Sequence, residues 1–324
     1  MHPIHVGVLF SDPRRAAAHE PETAALDGRS GADLVQALRR LGHRATLIPA
    51  DDDRDLALAL RRSHIDACIL ATHGDLGGSG VIQEQLRRCA IPYVGAPAAA
   101  VALAYDKVRA RDRLARWNLP TPTAVAITRD APVDRRSLAH LGWPCVLKPR
   151  RGSLGHGVLH LHSAREVTDV VADEVAHGRE LVVERAVDGV EVQVVLLGGR
   201  VLGAMQIERA PGQTRGTAAM TCPPDLSPAA LDGVHHLARH AAEALGLDGA
   251  LCRVDVVVSD RHNEQILEVE PLPPLHQAGV VALVARAAGL PYERLVAALL
   301  AGLDLPVVAR PEPIHAGAEH HLGA

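Results

Sequence analysis

Cys145-Val146-Leu147-Lys148-Pro149-Arg150-Arg151-Gly152-Ser153-Leu154-Gly155-His156-Gly157-Val158 is the stretch on which the reading of this chain turns. An apolar strand ends at Lys148, a loop follows with glycine at 152, 155 and 157, and a second strand opens at Val158. Glycines let backbone N–H groups approach an anion closely, and a nest of such donors suits phosphate. No Gly-Lys-Ser/Thr follows, so the loop is not of the Walker A type. Its glycine order and strand-to-strand setting also differ from the dinucleotide fingerprint. A flap folded over a nucleotide fits; a bare turn between two strands would look the same.

Lys148 carries further weight because the chain has only two lysines, Lys107 and Lys148, among 34 Lys and Arg residues. Ammonium groups are compact point charges with three rotatable donors, suited to phosphates and ring nitrogens where the planar Arg fork fits badly. Chance survival under an Arg-rich codon usage is the alternative. Lys107 follows Asp106 at the start of a helix-like run, which favours a retained function.

At 324 residues the chain is long enough for two or three packed units. Apolar residues make up 48%, with aromatics at only 2%, so Ala, Val and Leu must fill the core. A net charge of -4 argues against a general nucleic-acid surface. No apolar run reaches the roughly 18 residues of a membrane span. Met1 to Phe10 reads as a first strand and not a signal peptide, and the five scattered cysteines read as reduced core thiols. A cytoplasmic protein is expected. His235, His236 and His240 lie on one helix-like stretch, but without HExxH they read as a solvated face.

Strand and helix alternate over the first hundred residues: strand at Ile4–Phe10, helix N-capped by Ser30 and stopped at Gly42, strand at Ala45–Ile48, helix at Asp55–Arg62, strand at Ile65–Ala71. A loop from His73 to Gly80, a helix at Val81–Arg88 and a strand at Ile91–Gly95 complete it. This βαβ pattern implies an open parallel sheet, with sites beyond the strands' C-terminal ends. Helical signals run from Pro97 to Leu119. Strands then follow at Ala124–Ile127, Cys145–Lys148, Val158–His162 and Leu181–Glu184. The last third reads as a hairpin (Glu191–Leu197, Val201–Ile207), a polar loop (Glu208–Pro224), a helix (Ser227–Leu245), a second hairpin (Leu251–Val258, Gln265–Val269) and a helix (Val280–Ala288). The expected units are 1–97, 98–187 and 188–307, with a disordered tail at 308–324.

The second hairpin carries the strongest chemical signal. In Arg253-Val254-Asp255 and Glu268-Val269-Glu270, charged and apolar residues alternate, so each charged pair shares a strand face. If those faces align, three carboxylates and a guanidinium converge. Such a cluster needs a cation, and hard oxygen ligands point to Mg²⁺ bridging nucleotide phosphates. A solvated sheet face with one Arg–carboxylate pair is the plain alternative.

In order, Asp106-Lys107, Lys148-Pro149, Gly152 to Val158, Val182-Val183-Glu184, Arg253-Val254-Asp255 and Glu268-x-Glu270 resemble the ATP-grasp ligases. His73-Gly74, Ile82-Gln83 and Ile91 to Gly95 are similar to the D-alanine–D-alanine ligase branch, and the resemblance spans residues 1 to about 306. It implies an α/β (α+β) ATP-grasp fold: an N-terminal Rossmann-like parallel-sheet domain, a small central α+β domain and a C-terminal antiparallel-sheet domain. The implied activity is ATP-dependent carboxylate–amine ligation through an acylphosphate. By the same resemblance, Lys107 and Lys148 hold phosphates and the adenine edge, with Gly152, Ser153, Gly155 and Gly157 in the flap. Glu184 and Val187 contact adenine, and Glu191 holds the ribose. Asp255, Glu268 and Glu270 bind two Mg²⁺, with Mn²⁺ an alternative. Arg253, with Ser153, acts on the transferring phosphoryl or oxyanion, and His73, Gly74, His276, Gln277 and Gly279 border small amino-acid-like substrates. The family also implies a homodimer through the first domain.

Departures from the family pattern gather on the amino-acid side. Its acidic pair after His-Gly reads Gly78-Ser79, its first-substrate Glu has only Glu22 nearby, and its Lys-Tyr is missing from 208–224, which offers Arg209 and Arg215. Its Asn is Glu270, its Pro-Gly is Pro273-Pro274, and its Ser is Gly279. Proline has no N–H, so Pro274 cannot give a backbone donor to a tetrahedral intermediate, leaving His276 or Gln277 to compensate. The alternative function is an ATP-binding ATP-grasp protein without ligase turnover, in a regulatory or scaffold role.

Overall fold

A computed structural model describes residues 3–11, 21–50, 53–128, 130, 135–152, 155–209, 216–259, 263–302 and 314–322. The first unit runs β1 (His5–Phe10), α1 (Pro21–Arg40), β2 (Arg44–Pro49), α2 (Asp53–Ser63), β3 (Ala67–Ala71), α3 (Gly74–Gly78), α4 (Val81–Arg88) and β4 (Tyr93–Val94). Its four strands are parallel in the order β2-β1-β3-β4. All six β1 residues are buried, as a strand covered on both faces requires.

Helix α1 starts at Pro21, well before Ser30. Proline suits the first helical turn because its missing N–H has no partner there anyway. Ser30 is therefore interior to the helix and not its cap, and its buried Oγ has no hydrogen-bond partner. The expected loop after His73 contains the short helix α3.

Helices α5 (Ala98–Tyr105) and α6 (Lys107–Arg116) meet at Asp106, whose carboxylate caps α6 by accepting Arg109 N–H at 3.2 Å. A central unit follows: β5 (Ala124–Ile127), α7 (Arg135–Leu141), β6 (Cys145–Pro149), β7 (Leu159–Leu161), α8 (Ala164–Ala176) and β8 (Leu181–Arg185). Its antiparallel sheet is ordered β5-β8-β6-β7.

The last unit comprises β9 (Val190–Leu197), β10 (Arg200–Glu208), β11 (Gly216–Cys222), α9 (Pro228–Leu245), β12 (Leu251–Val258), β13 (Gln265–Glu270), α10 (Val280–Ala287), α11 (Tyr292–Ala301) and β14 (Ile314–Leu322). Its sheet order is β13-β12-β9-β10-β11-β14. Two strands here depart from the reading above. The polar loop expected at 208–224 holds β11. The tail expected to be disordered holds β14, which pairs antiparallel with β11. A backbone ladder needs only a free strand edge, so a tail without hydrophobic periodicity can still join it.

Apolar packing divides the molecule in two. Leu9 and Ile82 of the first unit and Val101 of α5 share one core with Val194, Leu245 and Val254 of the last unit. Val8 and Leu34 share another with Met205 and Leu283. The central unit has its own core around Ile127, Leu147, Val167 and Val183. First and last units are thus joined by shared cores, and the central sheet with its glycine flap stands against them as a separate body.

Candidate active site

Register sets the acidic cluster. Strands β12 and β13 pair with Asp255 opposite Glu268 and Arg253 opposite Glu270, so all four side chains lie on one sheet face. Asp255 and Glu270 are buried; Arg253 and Glu268 are half-buried. Lys107 reaches the cluster from α6, with Nζ at 3.4 Å from Glu268 Oε1. Its Nζ also donates to Gly152 O, at the root of the flap, over 2.6 Å.

Burial alone would raise the Glu268 carboxyl; the charges of Lys107, Lys148 and Arg253 outweigh it and hold the group below its ordinary value. At Glu270 the pull of Arg253 and His73 is the weaker influence. Burial and the charge of Glu268 push it up to about 7. A carboxylate so short of counter-charge is what a cation site looks like chemically. The donors are not yet gathered round one point, however. Arg253 grips both oxygens of Asp255, Nε to Oδ1 at 2.7 Å and Nη2 to Oδ2 at 2.8 Å. Among the described residues, no three His, Cys, Asp or Glu side chains are placed to hold an ion together. The oxygen set fits a hard divalent metal, on condition that Arg253 releases Asp255.

Lys148 projects from the end of β6 onto buried Glu184 of β8, Nζ to Oε2 at 2.8 Å. The other oxygen of Glu184 accepts Arg111 Nη1 at 3.0 Å. Arg111, one turn beyond Lys107 on α6, has no motif signature, and only the fold reveals its contact. Both Glu184 oxygens are thus engaged, which makes the carboxylate an anchor for the two cations as well as a candidate adenine contact. Asp106 accepts Arg150 Nε at 2.9 Å, and Lys107 N–H donates to Arg150 O at 3.0 Å, so the Asp106-Lys107 pair is stitched to the strand end that carries Lys148. Val187 is half-buried just after β8. Glu191, opening β9, is paired with Arg209 and accepts Gln193 Nε2 at 2.9 Å. Burial raises its carboxyl against the pull of Arg209.

In the flap, Gly155 and Gly157 have φ of +71° and +67°, and a Cβ at Gly157 would stand 2.8 Å from Pro149 Cγ. Ser153 lies outside the described residues. His156 Nε2 pairs with Thr23 Oγ1 of α1 at 2.8 Å, so the flap touches the first unit.

The amino-acid side is built differently. His73, just beyond β3, pairs through Nδ1 with fully buried Asp27 of α1, and its backbone N–H donates to Asp27 Oδ2 at 3.2 Å. Burial opposes a charged ring, but the charge of Asp27 and its hydrogen bond outweigh this and raise the His73 pKa. The acid beside His73 is thus Asp27, a residue sequence spacing did not single out; Glu22 is exposed. Gly74 opens α3. Gly78 has no side chain for a good reason: a Cβ there would lie 2.2 Å from the Tyr105 ring, whose hydroxyl donates to Asp75 Oδ1 at 2.8 Å.

His276 occupies the matching place near α10. A Cβ on Gly279 would stand 3.2 Å from His276 Nε2. Burial and the charge of Arg29 push the His276 pKa down to about 4, so its ring is neutral. Gln277 is held by Asp33, N–H to Oδ2 at 2.8 Å and Nε2 to Oδ1 at 3.4 Å, and the Gly279 N–H is taken by His276 O at 2.9 Å. Neither of these two therefore replaces the backbone donor missing at Pro274.

A parallel-sheet unit, a central sheet with a glycine flap and an antiparallel sheet with an acidic face, closing on two lysines, define an ATP-grasp ligase, an ATP-dependent class of enzyme. A family model described as the D-ala D-ala ligase C-terminus matches residues 114–301. The D-alanine–D-alanine ligase of Anaeromyxobacter dehalogenans is 33% identical over 291 residues, covering 86% of this chain and 92% of that one. That of Desulforudis audaxviator is 34% identical over 282 residues, covering 83% and 90%. In fold, the chain superposes on the Bacillus anthracis D-alanine–D-alanine ligase complexed with ATP with a TM-score of 0.81, at 23% identity, over 92% of this chain and 97% of that one. The chain belongs to the D-alanine–D-alanine ligase family, whose chemistry uses ATP and a divalent metal. Among the described residues, no helix is long and apolar enough to cross a membrane.

Proposed function

We propose that this protein joins a carboxylate to an amine at the expense of ATP, with D-alanine, named for its relatives, as the first acid and amine to test. The observation that carries this reading is the shared face of Asp255, Glu268 and Glu270 with Lys107 at its edge and Lys148 on the adjoining strand. A substrate carboxylate oxygen attacks the γ-phosphorus and ADP leaves. The amine nitrogen then attacks the acyl phosphate carbon, and phosphate leaves. Such transfers rest on positioning and charge neutralisation more than on a covalent nucleophile.

Within this reading Lys107 and Lys148 bind nucleotide phosphates, Glu184 and Val187 border the adenine and Glu191 the ribose, beneath a flap of Gly152, Ser153, Gly155 and Gly157. Asp255, Glu268 and Glu270 hold Mg²⁺, two ions on the family pattern, and bound metal neutralises the phosphate charge. Arg253, now on Asp255, would be the residue to act on the transferring phosphoryl group once Asp255 holds metal. His73, Gly74, His276 and Gly279 border the amino-acid substrates. A cytoplasmic setting and a homodimer through the first unit belong to the same reading. In support of the latter, Leu47 on edge strand β2 is 38% exposed.

Purified protein with Mg-ATP and a panel of D- and L-amino acids, followed by ADP release and product mass, tests the proposal. A new amide mass that disappears in Lys148→Met and Glu268→Gln supports it. Tight ATP binding without turnover on any acid–amine pair overturns it in favour of a non-catalytic nucleotide binder.

A further inference from the structure

The Asp27–His73 pair takes no part in the steps assigned above, and its geometry is specific. Asp27 lies in the middle of α1 with no exposure, an expensive place for a carboxylate without partners. Both of its oxygens face His73: Oδ2 accepts the backbone N–H, and Oδ1 pairs with ring Nδ1. A carboxylate at Nδ1 requires the proton there, which fixes the tautomer and turns Nε2 to the opposite side. That nitrogen is buried and has no hydrogen-bond partner. Besides Asp27, the charged groups acting on His73 are Glu270 and Arg253 of the β12–β13 face. Neutral His276, with Nδ1 also unpartnered, senses His73 from the α10 side together with Arg29 and Asp33. An oriented imidazole with an unpartnered nitrogen therefore lies within electrostatic reach of Glu270 and Arg253.

We propose that His73 Nε2 is the group that takes the proton from the attacking ammonium, and that Asp27 is the positioning residue that aims it. The inference rests on the ligase reading above. An ammonium has no lone pair, so one N–H proton must pass to Nε2 before the nitrogen can attack. The C–N bond then forms, the C–O bond to phosphate breaks, and the second N–H proton leaves with the departing phosphate. His73 afterwards returns its proton to solvent. Overall, carboxylate, ammonium and ATP give amide, ADP, phosphate and one proton.

Hydroxylamine separates proton removal from every earlier step, because it is uncharged at neutral pH and attacks an acyl phosphate without first losing a proton. Wild type, His73→Gln and Asp27→Asn are assayed with Mg-ATP and D-alanine, or the acid selected by the panel. Amide is measured with the amino acid as nucleophile, and hydroxamate with hydroxylamine. The expected result is an amide-to-hydroxamate ratio lower by on the order of a hundredfold in His73→Gln, and by less in Asp27→Asn, whatever either change costs in substrate binding. The amide deficit should shrink as pH is raised, since solution then supplies uncharged amine. Loss of both products in parallel, or no loss of amide, overturns the proposal while leaving the ligase reading intact. Wild-type protein that forms neither product with any acid overturns the ligase reading and this proposal with it.

Discussion

The two sides of the cleft satisfy their polar groups to different degrees. On the nucleotide side, cations and carboxylates are cross-paired: Lys148 and Arg111 on Glu184, Lys107 on Glu268, Arg253 on Asp255, Arg209 on Glu191. Buried polar atoms without a partner are more numerous on the amino-acid side, Ser30 Oγ, Thr72 Oγ1, His73 Nε2, Gln83 Oε1 and His276 Nδ1, against Gln193 Oε1 and Arg209 Nε beside Glu191. Two glycines, Gly78 and Gly279, make room there for the rings of Tyr105 and His276. A buried group without a partner costs free energy, and such groups gather where a ligand completes them. On the nucleotide side charges meet charges, whereas on the amino-acid side glycines make room for rings.

The largest expected effect falls on the paired side. Glu268→Gln removes the charge that faces Lys107 and one of the proposed metal ligands, and ADP formation should fall by at least about a hundredfold while circular dichroism stays unchanged. A loss below tenfold would mean that the acidic face does not meet the nucleotide. Next comes Arg111→Met. With one cation gone, Glu184 relies on Lys148 alone, and the KM for ATP should rise on the order of tenfold with a smaller change in kcat. A Lys at 111 should restore much of it, and an unaltered KM would demote Arg111 to packing.

On the amino-acid side, the two glycines should respond mainly in stability. Gly78→Ala drives a methyl into the Tyr105 ring and should cost about 1–3 kcal/mol by chemical denaturation, with Tyr105→Leu relieving part of the loss. Additive effects of the two changes would contradict the contact. Gly279→Ser is the gentlest test. Gly279 is the N-cap of α10, where Ser is favoured, but its Cβ is tight against His276. Stability should move by less than about 1 kcal/mol, and preference should shift toward acceptor amines that carry a carboxylate. An unchanged acceptor profile would place His276 outside the acceptor site.

Much of the nucleotide side was legible in sequence because its signals are local. Alternation in Arg253-Val254-Asp255 and Glu268-Val269-Glu270 fixes side-chain faces, and one hairpin register aligns them. Lys107 and Lys148 stood out by rarity. The amino-acid side was not legible, because its contacts join residues far apart in the chain. Asp27 finds His73 from 46 positions away; on the nucleotide side Arg111, which finds Glu184 from 73, was hidden for the same reason. The start of α1 at Pro21 was hidden by Gly28 and Gly31, which tertiary packing overrides. Strand β11 went unread because its pattern is set by its neighbours in the sheet, β10 and β14.

Mn²⁺ binding followed by electron paramagnetic resonance, with and without ATP, tests the central claim most directly. The account predicts a tightly held Mn²⁺ signal that requires ATP, is lost in Glu268→Gln and in Lys148→Met, and persists in His73→Gln. Mn²⁺ bound equally well by wild type and Glu268→Gln in the presence of ATP would contradict it.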